Sequence, residues 1–164
     1  MDVLSDILAS LKLTGGVVID AELAGDWCLA SRFTPEECAP YLTSSESNLI
    51  AYHYVRDGHL FAEVDGFPVI EAHRGDILLM PRNDLHLLYS SAGIPPLSSS
   101  SLIQADGHGP AKIRVDGKGG LTSLYCGFLG TTAEQHPLLD ALPPLLKLAG
   151  GEDARSEWIQ SGLR

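Results

Sequence analysis

The sequence lacks the features that mark membrane and secreted proteins. No apolar run approaches the ~18 to 20 residues that a membrane-spanning helix needs. The opening stretch, MDVLSDILASL, contains two aspartates and no basic residue, whereas a secretory signal begins with a positively charged segment. These absences predict a cytoplasmic protein that does not engage a membrane.

Cysteine is scarce and its spacing follows no motif. The chain has three cysteines, Cys28, Cys38 and Cys126, which form no CxxC pair. Disulfide frameworks use an even number of cysteines, and zinc sites use closely spaced pairs. We therefore expect reduced thiols, which agrees with a cytoplasmic location.

Basic residues are also few. Eleven Lys and Arg stand against 21 Asp and Glu, which gives a formal net charge of −10 at pH 7. A surface of this sign repels the phosphate backbone of nucleic acids. The chain contains no basic helix and no recognisable helix-turn-helix, so we expect no direct nucleic-acid binding by it.

The length and the apolar content fit a single globular domain. The chain has 164 residues, of which 45% are hydrophobic, and compact domains commonly hold ~100 to 150 residues. A chain of this size can bury one sizeable core without a second one. We predict one domain over residues 1–164.

The most informative stretch covers residues 48–90. It contains four short runs rich in Val, Ile, Tyr and Phe, at 49–55, 60–64, 69–72 and 77–80, and such runs indicate strands. Asp57-Gly58 and Asp65-Gly66 separate the first three runs, and Asp-Gly favours tight hairpin turns because it allows positive φ. The pattern predicts a small antiparallel sheet.

The flanking segments add further strands, helices and loops to the prediction. Strands are predicted at 17–23 and 27–31, paired about residues 24–26, and at 121–129. Apolar spacing predicts a helix over 3–11 that ends at Gly15-Gly16. Further helices are predicted at 137–143, before Pro143-Pro144, and at 152–162. Residues 33–46 and 91–120 are predicted loops, the second a lid or a mobile excursion in which only residues 113–115 suggest a strand.

The end of the central stretch resembles the second signature of the cupin superfamily. Gly75 is followed after five residues by Pro81, then by Asn83, where the signature usually has a glycine, and by His86. Residues 54–58, which end in Gly58, resemble the end of the first signature. This resemblance implies a cupin-like barrel, the jelly roll also called a double-stranded β-helix, over residues 17–129.

Two C-terminal motifs make the resemblance more specific. LYCGFL at 124–129 and HPLLDALPPLL at 136–146 are similar to motifs of the N-terminal sensor domains of AraC-type transcription regulators. The opening segment and the strand that contains Trp27 fit the same family. The resemblance implies a mainly β barrel with an N-terminal helix and C-terminal helices that dimerise. In such regulators a DNA-binding module of two helix-turn-helix motifs follows, and this chain does not contain it.

Two histidines are the main candidates for binding a small-molecule effector. Strand alternation places His53 on the same face as Val55, toward the barrel interior, and His86 is expected to face it. We interpret the pair as the polar contacts that orient a ligand in an apolar pocket. One alternative is that backbone groups or water satisfy both histidines, and another is that the two histidines hold a metal. Trp27, Val55 and Tyr125 complete the predicted ligand-binding set.

The resemblance also raises the question of a metal, since many cupins bind one. Metal-binding cupins place two histidines and a glutamate before the glycine of the first signature. If Gly58 is that glycine, the ligand positions fall near Ser45, Ser47 and Ala51, which cannot bind a metal as imidazole or carboxylate groups do. This register predicts no metal, no other cofactor and no catalytic residue.

A second register uses Gly66 and leaves an enzyme as the alternative function. It assigns His53 and His59, together with His86, as ligands of a divalent transition metal in a dioxygenase or isomerase. Eight residues would then separate Gly66 from Gly75, too few for the strands that normally lie between the signatures.

The C-terminal segment carries more apolar residues than two short helices can easily bury. The predicted dimerisation residues are Leu138, Leu142, Leu145, Trp158 and Ile159. Large exposed apolar patches usually mark an interface, most often in a two-fold dimer. We therefore expect a homodimer that senses an effector and regulates transcription. The alternative is that the leucines close the open end of the barrel in a monomer.

Overall fold

The computed structural model describes residues 13–34, 48–105, 109–131 and 140–149. These residues are mainly β, which confirms the predicted class. The strands are β1 (Leu13–Ala24), β2 (Cys28–Ser31), β3 (Asn48–Asp57), β4 (His59–Glu63), β5 (Ile70–His73), β6 (Ile77–Met80), β7 (His86–Tyr89), β8 (Leu97–Ser98), β9 (Ala111–Val115), β10 (Leu121–Thr131) and β11 (Leu146–Leu148), with a 3₁₀ helix at Ser99–Ser101.

The strands form two sheets. Sheet I has the order β11-β6-β3-β10-β1-β9, and sheet II has the order β5-β4-β7-β2-β8. Neighbouring strands are antiparallel except for the parallel pairs β1–β9 and β2–β8. One buried apolar cluster draws side chains from both sheets, so the sheets pack face to face around a shared core.

The sheet predicted for residues 48–90 is wrong in its pairing. β3 and β6 pair in sheet I, whereas β4, β5 and β7 lie in sheet II. Asp65-Gly66 does join the antiparallel pair β4 and β5, but Asp57-Gly58 carries the chain from sheet I to sheet II. Gly58 has φ +80°, and a Cβ there would lie 2.6 Å from the carbonyl oxygen of Leu121. This corner therefore requires glycine.

The predicted pairing of 17–23 with 27–31 is also wrong. β1 lies in sheet I between β10 and β9, and β2 lies in sheet II between β7 and β8. Gly15 and Gly16 belong to β1 and do not end a helix. The helix predicted over 3–11 lies outside the described residues.

The segment 91–120, predicted to be a loop, contains regular structure. β8 runs parallel to β2, and β9 runs parallel to β1 with Ile113 opposite Ala21. Both are short edge strands, and Ile113 is the one buried side chain of β9. The strand suggested at 113–115 lies within β9, whereas β8, of two residues, leaves no periodic signal. The strand predicted at 121–129 is confirmed as β10. The loop predicted at 33–46 lies almost entirely outside the described residues.

The C-terminal part of the described chain differs from the predicted helices. Of the helix predicted at 137–143, residues 140–143 are described. Asp140 is helical, and the residues after it lead through a turn into β11, which pairs antiparallel with β6. Leu145 is 4% exposed and packs in the shared core, so it does not lie on a free surface as its predicted dimerisation role requires. The helix predicted at 152–162 and the residues Leu138, Trp158 and Ile159 lie outside the described part.

Sheet I also buries apolar side chains on its outer face, opposite the shared core. We call this second group the outer cluster; it comprises Ile50, Tyr52, Ile77 and Leu79, with Tyr54, Leu129, Leu142, Leu146 and Leu148 packed against it. β3 and β6 are therefore apolar on both faces, as in sheets covered on both sides. Within the described residues, no helix has the length and apolar content needed to cross a membrane.

Candidate functional site

The candidate site is a pair of histidines that joins the two sheets. Alternation along β3 directs Ala51, His53 and Val55 toward the shared core, and all three are buried. His86 comes from β7 in sheet II and is likewise 1% exposed. The Nε2 atoms of His53 and His86 lie 2.7 Å apart, which is hydrogen-bond distance.

The turn before β7 sets the position of His86. Its Nδ1 donates to the carbonyl oxygen of Asp84 at 2.9 Å. Asn83 has φ 56°, a left-handed conformation that asparagine tolerates better than most residues other than glycine. The Asn83 amide also donates to the carbonyl of Phe33 at 2.7 Å and accepts from its N–H at 3.1 Å. The turn is thus fixed to the segment after β2.

Burial keeps both imidazoles neutral. Loss of solvent lowers the pKa of His53 well below its ordinary value of 6.5, and the neighbouring His86 lowers it further. Burial also lowers the pKa of His86, although the carbonyl and the charge of Asp84 act in the opposite direction. Because burial penalises the charged form of an imidazole, both rings are uncharged at neutral pH.

The hydrogen bonds then fix which nitrogens carry hydrogen. A carbonyl can only accept, so the neutral His86 has its hydrogen on Nδ1 and a bare Nε2. The Nε2 of His53 must therefore donate to it. This leaves the Nδ1 of His53 as a bare acceptor. That atom is buried, and no hydrogen-bond partner reaches it from the residues that the structure describes.

The walls beside His53 are apolar apart from one thiol. His53 lies opposite Leu78 of β6 and Cys126 of β10, and directly opposed residues of antiparallel strands project to the same face. Burial raises the pKa of the Cys126 thiol to about 12, so the sulfur is protonated and uncharged. Cys28 and Cys126 are both free and buried.

A family comparison agrees with this architecture. The sequence model of a family described as cupin matches residues 2–164. The chain belongs to the cupin family. Searches of curated proteins and of solved structures gave no match. The cupin part of the predicted resemblance is confirmed, and the AraC-type part stays a prediction.

Two of the remaining predicted ligand residues face the interior of this cupin. Val55 is fully buried and lies two residues from His53 on the same face. Trp27 is 3% exposed, and its backbone pairs with Ser90, four residues beyond His86. At ~3.3 Å per residue, that position lies roughly 13 Å further along the sheet. The structure therefore brings Val55, but not the Trp27 backbone, next to the histidine pair.

Tyr125 lies on the other side of sheet I, which corrects its predicted place in the pocket. Its neighbours Leu124 and Cys126 belong to the shared core, so Tyr125 points outward. There the Arg56 guanidinium lies 4.0 Å from the centre of the Tyr125 ring and forms an ion pair with Asp20. Tyr125 thus takes part in a surface cation–π contact.

The three-histidine metal site of the alternative function is not assembled. His59 is exposed on β4, and its ring stacks on His73 with centroids 6.1 Å apart. Among the described residues, no group of three His, Cys, Asp or Glu side chains could hold a metal ion. In the register that uses Gly58, Ala51 occupies a predicted ligand position and has no metal-binding group, and Ser45 and Ser47 lie outside the described part. The described residues therefore do not supply the three-ligand set of a cupin metal.

Asn83 and Asp84 were missed as functional residues by sequence reasoning. Asn83 positions the turn through its side chain, and Asp84 contributes its backbone carbonyl. A signal for Asn83 existed, because it stands where the cupin signature usually has a glycine. Asparagine at such a position indicates positive φ. Every residue has a backbone carbonyl, so the residue type at Asp84 could not indicate this role.

Proposed function

We propose that this cupin is the effector-sensing domain of a cytoplasmic AraC-type transcription regulator, and that its output is regulatory and not catalytic. The observation that carries the proposal is the buried His53–His86 pair with its unpartnered nitrogen. A few convergent polar groups in an apolar interior are what small-molecule sites use. The motifs LYCGFL and HPLLDALPPLL support the AraC-type assignment.

The sheet offers a route from the pair to the opposite surface. Tyr52 and Tyr54 flank His53 on β3 and belong to the outer cluster, and β11 pairs with β6 at the edge of the same sheet. A ligand that shifts His53 therefore acts on β3, which pairs with β6, and β6 is the strand that pairs with the C-terminal segment. Ordinary allosteric coupling requires a difference of ~1 to 3 kcal/mol in ligand binding between two arrangements. We propose that the C-terminal segment forms a homodimer, and that DNA is bound through a separate helix-turn-helix module.

A ligand screen by thermal unfolding tests the proposal. A compound present at about 100 times its Kd stabilises the chain by ~2.7 kcal/mol, which raises the Tm of a protein this size by roughly 5 to 10 °C. We expect His53→Leu to abolish the increase. Tyr125→Phe, on the outer face, should retain it.

Metal analysis of the purified chain separates sensing from enzyme activity. The sensing proposal predicts no stoichiometric transition metal. A stoichiometric metal, together with a library in which no compound stabilises the chain, would overturn the proposal in favour of a metal-dependent enzyme.

A further inference from the structure

We infer that the Nδ1 atom of His53 recognises the effector, and that the effector is a neutral molecule presenting a hydrogen-bond donor, such as an alcohol, a phenol or an N–H heterocycle. The inference rests on the proposed function, because it names the ligand class of the same site. It follows from the direction of the hydrogen bonds in the pair.

The direction of these bonds is imposed from outside the pair. The Asp84 carbonyl accepts from Nδ1 of His86, so the neutral His86 presents a bare Nε2. That nitrogen accepts from Nε2 of His53 at 2.7 Å, and the neutral His53 presents a bare Nδ1. Through the two imidazole rings, the backbone carbonyl of Asp84 thus makes the Nδ1 of His53 a hydrogen-bond acceptor.

A buried acceptor without a partner favours ligands that donate. Such an atom lowers stability by ~1 to 3 kcal/mol, and a ligand O–H or N–H removes that penalty when it binds. The residues that the structure describes supply no donor to Nδ1 of His53. A ligand with a hydrogen-bond donor should therefore bind more tightly than an apolar molecule of the same shape.

Charged ligands are disfavoured by the same arrangement. A carboxylate would meet the lone pair of Nδ1, and it could bind only if the histidine pair took up a proton against the effect of burial. A cation would need a free carboxylate, because burying an unpaired charge is costly. Among the described residues the one buried acidic group is Asp76, which already accepts from the N–H of His73 at 2.9 Å. The arrangement therefore favours a neutral ligand that has a hydrogen-bond donor.

The hydrogen positions can be measured directly on the full chain labelled with ¹⁵N. Long-range ¹H–¹⁵N NMR at pH 7.5 distinguishes protonated from bare imidazole nitrogens, and the His53→Leu and His86→Leu variants assign the signals. We expect a bare Nδ1 in His53 and a protonated Nδ1 in His86. A protonated Nδ1 in His53 would overturn the inference before any ligand is added.

Pyrrole and furan are a matched pair of probes for the ligand class. They are nearly the same size, but pyrrole donates through its N–H and furan has no donor. We expect pyrrole to bind roughly 5- to 150-fold more tightly than furan, the ratio equivalent to one unpaired buried acceptor, and to move the Nδ1 signal of His53. An equal response to both probes, or a response to neither, would overturn the inference. Tyr125→Phe should leave the preference unchanged.

The outcomes distinguish this inference from the proposed function. If the thermal screen finds a stabilising compound that leaves the His53 Nδ1 signal unchanged, the effector is sensed elsewhere and the inference fails alone. If pyrrole is preferred over furan but no compound in the library stabilises the chain, the sensing function fails while the recognition chemistry stands.

Discussion

At the residue scale, the Nε2 atoms of His53 and His86 satisfy each other, so removing either residue leaves the other Nε2 buried without a partner. His53→Leu also removes the unpartnered Nδ1 of His53, which offsets part of the loss, whereas His86→Leu leaves both nitrogens of His53 without partners. We therefore expect the larger reduction in the free energy of unfolding, ~1 to 3 kcal/mol, for His86→Leu. The double variant His53→Leu/His86→Leu removes both nitrogens. We expect urea denaturation to show that the double variant loses less stability than the sum of the two single variants, by ~0.5 to 3 kcal/mol. Strictly additive losses would contradict the hydrogen bond.

The same two residues make stability depend on pH. Burial lowers the pKa of both imidazoles below 6.5 in the folded state, so the unfolded chain binds protons more readily. Their contribution is complete above pH 6.5 and is lost as the pH falls below that value. The slope reaches up to about 1.4 kcal/mol per pH unit for each imidazole. Urea denaturation between pH 5 and 8 measures it, and the double leucine variant should lose the slope. A slope retained by that variant would assign it to other groups.

Sequence alternation predicted the inward direction of His53, whereas the predicted place of Tyr125 in the ligand-binding set was wrong. Alternate positions of β3, at Ala51, His53 and Val55, point inward. A shift of the strand register by one residue would turn these side chains to the other face of the sheet. β10 has apolar side chains at both sets of alternate positions because the outer cluster covers part of sheet I. Its pattern therefore did not distinguish the core face from the outer face. That distinction needed the strand register, with Cys126 opposite His53.

At the element scale, the turn that contains Asn83 combines a backbone requirement with a side-chain anchor. Asn83→Ala should suffer the left-handed penalty of ~1 to 2 kcal/mol and should also lose both hydrogen bonds to Phe33. Asn83→Gly keeps the backbone free to adopt φ 56° and loses only the side-chain contacts. We therefore expect stability in the order Asn83, then glycine, then alanine, measured by urea denaturation. Equal stability of the two variants would show that positive φ has little energetic effect here.

Strands were easier to predict from the sequence than their partners. The runs at 49–55, 60–64, 69–72 and 77–80 each overlap a strand of the structure, because β-branched and aromatic content is a local property. Pairing is not local. Asp65-Gly66 joins two strands of one sheet, whereas Asp57-Gly58 joins strands of different sheets. The two dipeptides are identical, and the difference arises from the approach of β10 to Gly58.

At the scale of the whole molecule, self-association stays a prediction that the sequence motivates. Trp158→Asp places a charge in the segment predicted to dimerise and should convert a dimer into a monomer. Leu85→Asp is the control, since Leu85 is 60% exposed in the loop before β7, far in sequence from that segment. Sedimentation at micromolar concentration distinguishes the dimer from the monomer for the wild-type chain and both variants. A wild-type chain that sediments as one species near 17.5 kDa would contradict a stable dimer.

The pairing of β1 with β10 also governs how fast this protein can form. Leu13 lies opposite Thr131, and the register continues to Ala24 opposite Leu121. These contacts join the first strand to one that follows about 100 residues later in the chain, so a long loop must close before they form. Folds dominated by such distant contacts fold in milliseconds to seconds, far more slowly than helical bundles. During synthesis, β1 leaves the ribosome long before its partner exists, and the barrel can close only after β10 has been made.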